Sequence, residues 1–382
     1  MYHKLALGPI SYHGRGAVQA IAPEVLGRSL SMALVVADPA LYQAGLVRKV
    51  IEALTAAGIE HAPFDAFTPN PTVDEAQAGV QAFKEARADH IIAIGGGSTI
   101  DIAKAIGIMI ANPEFEDFRA LEGAPATKHH AVFTIAVPTT AGTAAEVTVN
   151  YVLTDPEKRR KFVCVDPHSL PAVAVVDPDL MDSMPPDLCA ATGMDALTHA
   201  VEGYITKGAW TIPDVLHLNA IKLIAASLPR AVSGDPAARE RMALAQYAAG
   251  MGFSNVGLGI VHSMAHSLGA WYDTAHGIAN AILLPTVMAF NAPATGEKYR
   301  HIACAMGVPD TGSMSQETYR RAAVDAVRAL SDTIGIPRDL KAIAKREDAD
   351  ALTESAFLDA CRPGNPRETT KDDIKKLFLS LL

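Results

Sequence analysis

The stretch that decides the fold is His90-Ile91-Ile92-Ala93-Ile94-Gly95-Gly96-Gly97-Ser98-Thr99-Ile100-Asp101-Ile102-Ala103-Lys104. A short run of β-branched and small apolar residues ends in three glycines, and a helical pattern follows at once. Such a run reads as a strand buried on both faces, because it lacks the apolar–polar alternation of a half-exposed one. Glycines let the backbone turn sharply and come close to a ligand with no Cβ in the way. Ser98 is placed to cap the helix, whose free N–H groups and positive dipole end favour a phosphate. Strand, glycine turn and helix in that order predict half of a βαβ unit built to hold a diphosphate.

The same pattern repeats on either side. Met32-Ala33-Leu34-Val35-Val36-Ala37-Asp38 and Val132-Phe133-Thr134-Ile135-Ala136-Val137 are two more buried strands by the same criterion. Between the first of them and the glycine strand, Leu46 to Ala57 sets Leu46, Val47, Val50, Ile51 and Leu54 at helical spacing, and Glu75 to Ala88 reads as a second helix. Strands alternating with helices predict a largely parallel sheet with ligands at its carboxyl ends. Pro138-Thr139-Thr140-Ala141-Gly142-Thr143-Ala144-Ala145-Glu146 puts hydroxyls at one such end. Asp38 stands at another, where it could accept hydrogen bonds from a ribose. Its charge would repel a 2'-phosphate, which favours NAD over NADP. The order is unusual, because in the common fingerprint the acid follows the glycines by about 20 positions, whereas Asp38 precedes them.

Beyond the proline-rich passage from Asp177-Pro178 to Pro185-Pro186 the strand signal fades. From Asp187 onward Ala, Leu and Met dominate, as in Leu216 to Leu228 and Glu240 to Met251, which favours helices. The chain is therefore expected to form an α/β nucleotide-binding domain over 1–185 and an all-helical domain over 186–382. The helical half carries chemistry. Asp195 and His199 are four apart, so on a helix they share a face and can hold one ion together. His262 and His266 repeat the spacing, and His276 follows closely. Neutral imidazoles plus a carboxylate suit Fe²⁺ or Zn²⁺. Spacing alone would pick His262 and His266 as the second pair, and it does not say which three of the four histidines bind.

Composition narrows the class. Of 382 residues, 49% are hydrophobic and 20% charged, which excludes a disordered chain. A formal net charge of -9 argues against a partner read through its phosphate backbone, so no nucleic acid is expected. Cys164, Cys189, Cys304 and Cys361 are widely scattered, which fits neither a zinc ribbon nor a disulfide framework and points to a reducing compartment. The start of the chain lacks the apolar stretch of a secretory signal, and runs such as Ala281-Ile282-Leu283-Leu284 are too short to span a bilayer. A cytoplasmic protein without membrane partners is the expectation.

The motifs GGGSTIDIAK at 95–104, PTTAGTAAEVT at 138–148, GMDALTHAVEGY at 193–204 and HSMAHSLGAWYDTAHGIAN at 262–280 resemble those of the iron-containing (group III) alcohol dehydrogenases. The resemblance covers essentially the whole chain. It implies the dehydroquinate synthase-like fold of that family, with NAD and Fe²⁺ as cofactors. It implies Asp195, His199, His262 and His276 as metal ligands, with His266 beside the substrate and His266 and His276 counted as catalytic. It implies NAD contacts at Asp38, Asn70, Gly96, Gly97, Ser98, Thr99, Asp101, Thr139, Thr140, Thr143 and Lys161, and a substrate pocket including Asn150, Phe253 and Cys361. One departure stands in the phosphate turn, where Thr99-Ile100 replaces the Pro-Gln of similar family members. Likeness to particular family members at 157–168, 251–259 and 364–367 implies reversible reduction of lactaldehyde to propane-1,2-diol. The alternative is a broader enzyme for short primary alcohols or propane-1,3-diol. A homodimer is implied too, with an N-terminal strand near Lys4 to Ile10. A dehydroquinate-synthase-like lyase would need basic residues for a phosphorylated substrate, and Gly250 to Tyr272 has no Lys or Arg.

Overall fold

The computed structural model describes residues 2–158 and 160–382; Met1 and Arg159, the latter within the 157–168 stretch, lie outside the described residues. The chain divides into two compact units. One takes the residues up to Thr140 and then Ala144–Ser183, and the other takes Ala141–Thr143 and Met184–Leu382.

The first unit is built on strands β1 (Ile10–His13), β2 (Met32–Ala37), β3 (Glu60–Phe64), β4 (His90–Gly95), β5 (Thr134–Pro138), β6 (Asn150–Asp155), β7 (Arg160–Val165) and β8 (Val173–Val176). Six of them form a parallel sheet in the order β1-β8-β5-β4-β2-β3, while β6 and β7 make an antiparallel hairpin. Its helices are α1 (Ile21–Leu26), α2 (Pro39–Gln43), α3 (Leu46–Ala56), α4 (Val73–Ala86) and α5 (Gly97–Ala111). The strands are apolar throughout because they feed two cores. Ala33, Val35 and Ala37 of β2 pack on one face with Val47, Val50 and Leu54 of α3. Leu34 and Val36 pack on the other with Val80 and Phe83 of α4 and Ile102 and Ile106 of α5.

This topology explains the unusual order of acid and glycines. From β2 the chain moves outward to the edge strand β3, then returns to place β4 on the other side of β2. The sheet order thus reverses between β2 and β4, which is where a crevice for ligands opens at the carboxyl ends. Asp38 follows β2 and Gly96 follows β4. Ala37 pairs with Ile94 and Gly95 with Pro138, so three loops leave the sheet at one level. The N-terminal strand is shorter and later than expected. Lys4 to Pro9 is not strand, and Ile10–His13 pairs in parallel with β8 of its own sheet.

The second unit consists of α6 (Pro186–Ile205), α7 (Thr211–Val232), α8 (Pro236–Phe253), α9 (Ile260–Tyr272), α10 (His276–Asn291), α11 (Lys298–Ala305), α12 (Gln316–Thr333), α13 (Ala349–Leu358) and α14 (Lys371–Leu381), with short 3₁₀ turns. Helix α6 is buried from Gly193 to Ile205 on every side, so it is the axis about which the others pack. Two helical spans, Thr211–Val232 and His276–Ala294, are long and apolar enough to cross a membrane. The short run before Pro285 concealed the second, because α10 continues through that proline. Most of that span is buried against its neighbours, the pattern of a core helix.

His217 of α7 shows how tightly this unit is packed. Its ring fills a slot left by two glycines, since a Cβ on Gly203 or Gly252 would come within 2.4 Å of Nε2. Both ring nitrogens are buried without a hydrogen-bond partner. Burial first, then the charges of Lys298 and His199, pushes the imidazole down to about 3. A folded-state value below the unfolded one means that the unfolded chain takes up the proton first. Stability is therefore full above about pH 6.5 and falls as the pH drops toward 3, by about 2 kcal/mol at pH 5 from this group alone. In His217→Leu the drop in thermal midpoint between pH 7.5 and 5 should shrink. Equal drops in parent and variant would count against the buried neutral imidazole.

Candidate functional site

Helix α6 sets Asp195, His199 and Glu202 on one face by their spacing of four and then three. Helix α9 brings His262 and His266, and α10 begins at His276 with Asn280 one turn later. One donor atom from each of Asp195, His199, His262 and His276 lies within 4.8 Å of all the others. Asp195 Oδ1 is 3.5 Å from His276 Nε2 and 3.9 Å from His262 Nε2, and Oδ2 is 3.8 Å from His199 Nδ1. The Asn280 amide donates to Asp195 Oδ1 at 2.7 Å and stands 3.2 and 3.1 Å from Nε2 of His262 and His276. One amide NH₂ has two hydrogens for three acceptors, and Nδ1 of His199 is buried without a hydrogen bond. Converging lone pairs with too few protons are the signature of a cation site.

Electrostatics prepares these donors. Burial and the neighbouring imidazoles hold His262 well below the usual histidine value, and burial lowers His199 against the pull of Asp195. Both rings are thereby kept neutral, the form in which imidazole binds a metal. Glu202 accepts from His262 Nδ1 at 2.7 Å and from the backbone N–H groups of Val261 and His262 at 2.8 and 3.3 Å. This fixes the proton on Nδ1 and leaves Nε2 facing the cluster. Burial pushes the Glu202 carboxyl up to about 7 in spite of those donors. Phe253 stacks on His199 with ring centres 4.2 Å apart, closing that side of the cluster.

The four-residue repeat in α9 does not place both of its histidines in the cluster. His266 faces a second group, with Asp359 and Cys361, whose donor atoms also lie within 4.8 Å of one another. Its ring stacks on His276, centres 5.3 Å apart and planes at 17°. Cys361 is half-buried, and burial raises its thiol well above the ordinary value. Asn150 is on β6 of the first unit, where its carbonyl accepts from Lys104 and its Oδ1 is buried unpaired.

Of the residues implied to bind NAD, Asp38, Gly96, Thr139 and Thr140 stand at the three loops, Gly97 to Asp101 open α5, Asn70 precedes α4 and Lys161 is on β7. The Asp38 carboxylate accepts from Ala40 N–H at 2.7 Å and starts α2. Gly96, not Ser98, is the cap of α5, and it supplies no side-chain acceptor. The sequence placed the cap late because the glycines read as a loop, whereas β4 runs to Gly95 and the helix starts at Gly97. Ser98 Oγ instead accepts from Asn70 N–H at 3.3 Å. Lys161 Nζ donates to Asn70 Oδ1 at 2.7 Å, and Asn70 holds a left-handed backbone with φ of 64°. Asp101 Oδ2 accepts from Val152 N–H at 3.2 Å, and burial raises its carboxyl to about 7 against Lys104, Val152 and Lys161. Thr139 N–H donates to the Gly95 carbonyl, and Thr140 lies beside Gly96. Thr143 belongs with the helical unit. A Cβ on Gly95 would meet Thr99 Oγ1 at 2.3 Å, so Thr99 fills the space under the turn. Lys104, at the end of the motif, is fully buried and donates to the Thr148 and Asn150 carbonyls, so it braces the hairpin rather than a ligand.

Residues 9–178 match the family described as iron-containing alcohol dehydrogenase, and residues 189–382 match the C-terminal part of the same family. The chain is 56% identical over 379 residues to the lactaldehyde reductase of Escherichia coli K12, covering 99% of each. It is 40% identical over 374 residues to the 1,3-propanediol dehydrogenase of Klebsiella pneumoniae, covering 97% of this chain and 96% of that one. A solved structure of 1,3-propanediol oxidoreductase is similar with a TM-score of 0.97 at 39% identity, covering 100% of both chains.

Proposed function

The chain belongs to the iron-containing alcohol dehydrogenase family, and we propose that it interconverts lactaldehyde and propane-1,2-diol with NAD as the redox partner. Membership makes it an NAD- and iron-dependent alcohol dehydrogenase. The identity of 56% to a lactaldehyde reductase, against 40% to a 1,3-propanediol dehydrogenase, carries the substrate. A second reading, a broader enzyme for short primary alcohols or propane-1,3-diol, is favoured by the TM-score of 0.97 to a 1,3-propanediol oxidoreductase.

Asp195, His199, His262 and His276 would hold Fe²⁺, and their convergence supports this. Iron bound there supplies a Lewis acid for the substrate oxygen, and NADH a hydride for its carbon. The remaining work falls to side chains. Glu202 holds the His262 ring, and Phe253 keeps water from the face of His199. His266, protonated on both nitrogens, gives the Nε2 proton to the substrate oxygen as the carbon accepts hydride and keeps the Nδ1 proton, so aldehyde, NADH and one proton become alcohol and NAD⁺. Asp38 receives the ribose. Gly96, Gly97 and Ser98 face the diphosphate, with Thr99, Asp101, Asn70, Lys161, Thr139 and Thr140 around them. Phe253 and Cys361 would border the substrate. The family resemblance supports a homodimer, and free, scattered cysteines together with the acidic charge support a cytoplasmic enzyme of small alcohols and aldehydes. Light scattering reads the dimer directly.

The deciding assay follows loss of NADH absorbance by anaerobically iron-restored protein over a panel of aldehydes. Lactaldehyde should give the highest kcat/KM. Equal values across the panel would favour the second reading, and no oxidation at all would leave a binding protein. The glycine turn gives a sharper test of the NAD assignment. A Cβ on Gly96 would find its nearest neighbour, Thr140, at an ordinary 3.5 Å, and its backbone is extended. Gly96→Ala should therefore melt with the parent yet raise KM for NADH about tenfold, since the methyl meets only the ligand. An unchanged KM for NADH would remove Gly96 from the site.

A further inference from the structure

We propose that Asp359 is the positioning residue for His266, holding its proton on Nδ1 so that Nε2 is the nitrogen that exchanges a proton with the substrate. The inference rests on the reaction assigned above and names a residue that neither motif nor spacing selects. Asp359 directly follows α13, in extended backbone. Its Oδ2 is 2.8 Å from His266 Nδ1, and its Oδ1 accepts from the Cys361 N–H at 2.8 Å. The Ser263 hydroxyl, one turn before His266 on α9, donates to the Gly259 carbonyl at 3.2 Å and lies near enough to help lower the carboxyl. The carboxylate is thus fixed by its own turn through Cys361 and by the ring it serves.

These contacts decide its charge. Burial alone would raise the carboxyl, yet His266, Cys361 N–H and Ser263 hold it down to about 2, so it remains ionised. A buried carboxylate with an imidazole nitrogen in line selects the tautomer with the proton between them. The neutral imidazole left after proton transfer to the substrate has only one N–H, held on Nδ1, so Nε2 carries the lone pair that takes up the next proton, or the alcohol's proton in the reverse direction. Stacking of His266 on His276 fixes the plane of the ring. Rotation within that plane would put a carbon against Asp359, and the charged hydrogen bond opposes it. Nε2 forms no hydrogen bond within the chain among the described residues, so it remains available to a substrate oxygen.

Iron-loaded Asp359→Ala, Asp359→Asn and Asp359→Glu test this. Asp359→Ala should lower kcat about 10–100-fold, with KM for the aldehyde changed less than about threefold and iron content equal to that of the parent. Asp359→Glu should recover part of the loss and Asp359→Asn less. In zinc-loaded protein, long-range ¹H–¹⁵N spectra should show the His266 ring protonated on Nδ1, its signals identified by their absence in His266→Asn. Asp359→Ala should shift that ring to a tautomer mixture. Unchanged kcat in Asp359→Ala would overturn the proposal. So would a loss of kcat that merely tracks lost iron or a lowered thermal midpoint, or an Nε2–H tautomer in the parent. A parent that reduces none of the aldehydes would defeat the reaction assigned above, whereas the tautomer of His266 still decides the role of Asp359.

Discussion

His262→Ala should leave the protein unable to retain iron through anaerobic desalting and should lower turnover at least about 10³-fold. The residue is 1% exposed, and its Nε2 converges with His276 Nε2 on the Asp195 carboxylate. Removing the ring takes away one of four donors and leaves a hole that no neighbouring side chain fills. A Lewis acid is worth several kcal/mol to carbonyl reduction, and each 1.36 kcal/mol is a factor of ten in rate. The comparison that isolates the effect is His266→Ala. That ring lies outside the four-donor cluster, so iron should stay while turnover falls about 10²–10⁴-fold through loss of proton transfer. Elemental analysis and the NADH assay on both variants separate the two roles. His262→Ala with parental iron content would show that the cluster is not the metal site.

What sequence reasoning could reach follows from burial. Strands β2, β4 and β5 are central, apolar on both faces, and stand out in the sequence for that reason. The edge strand β3 carries Glu60 and Pro63, tolerated only because no strand pairs on its outer side, so its sequence does not look like a strand. Strand β8 has four residues, and the β6–β7 hairpin alternates buried and half-exposed positions over charged residues such as Arg160 and Lys161. At the metal cluster, Asp195 and His199 are legible because one helix carries both. The partner of His262 is not, because His276 arrives from a new helix after the left-handed turn at Asp273, and no intrahelical spacing predicts how α9 and α10 meet. Glu202 had a usable signal, lying three residues after His199 on the same face. Asn280 lies four residues after His276, where only the fold reveals that its amide reaches Asp195. Asp359 had no signal at all: its role depends on the turn after α13 reaching α9.

Glu202→Leu should weaken iron binding about 10–100-fold and cost about 3–5 kcal/mol of stability, although Glu202 is no part of the four-donor set. Donors that end on its carboxylate include His262 Nδ1, His262 N–H and Val261 N–H. The two backbone groups sit in the first turn of α9, where no carbonyl of the helix can reach them, so Glu202 acts as the cap of that helix from a neighbouring one. Leucine preserves the volume but orphans these donors at a site where Glu202 is only 2% exposed. The imidazole suffers a further loss, since nothing then holds its proton on Nδ1, and a ring protonated on Nε2 presents hydrogen instead of a lone pair to the ion. Glu202→Gln separates the two contributions. Its amide oxygen can still accept from the backbone of α9, so most stability should return, while the weaker, uncharged acceptor leaves the tautomer less biased and iron affinity still reduced. Chelator competition gives the affinity and thermal unfolding of the metal-free proteins gives the stability. If both substitutions bind iron like the parent, Glu202 serves only to start α9.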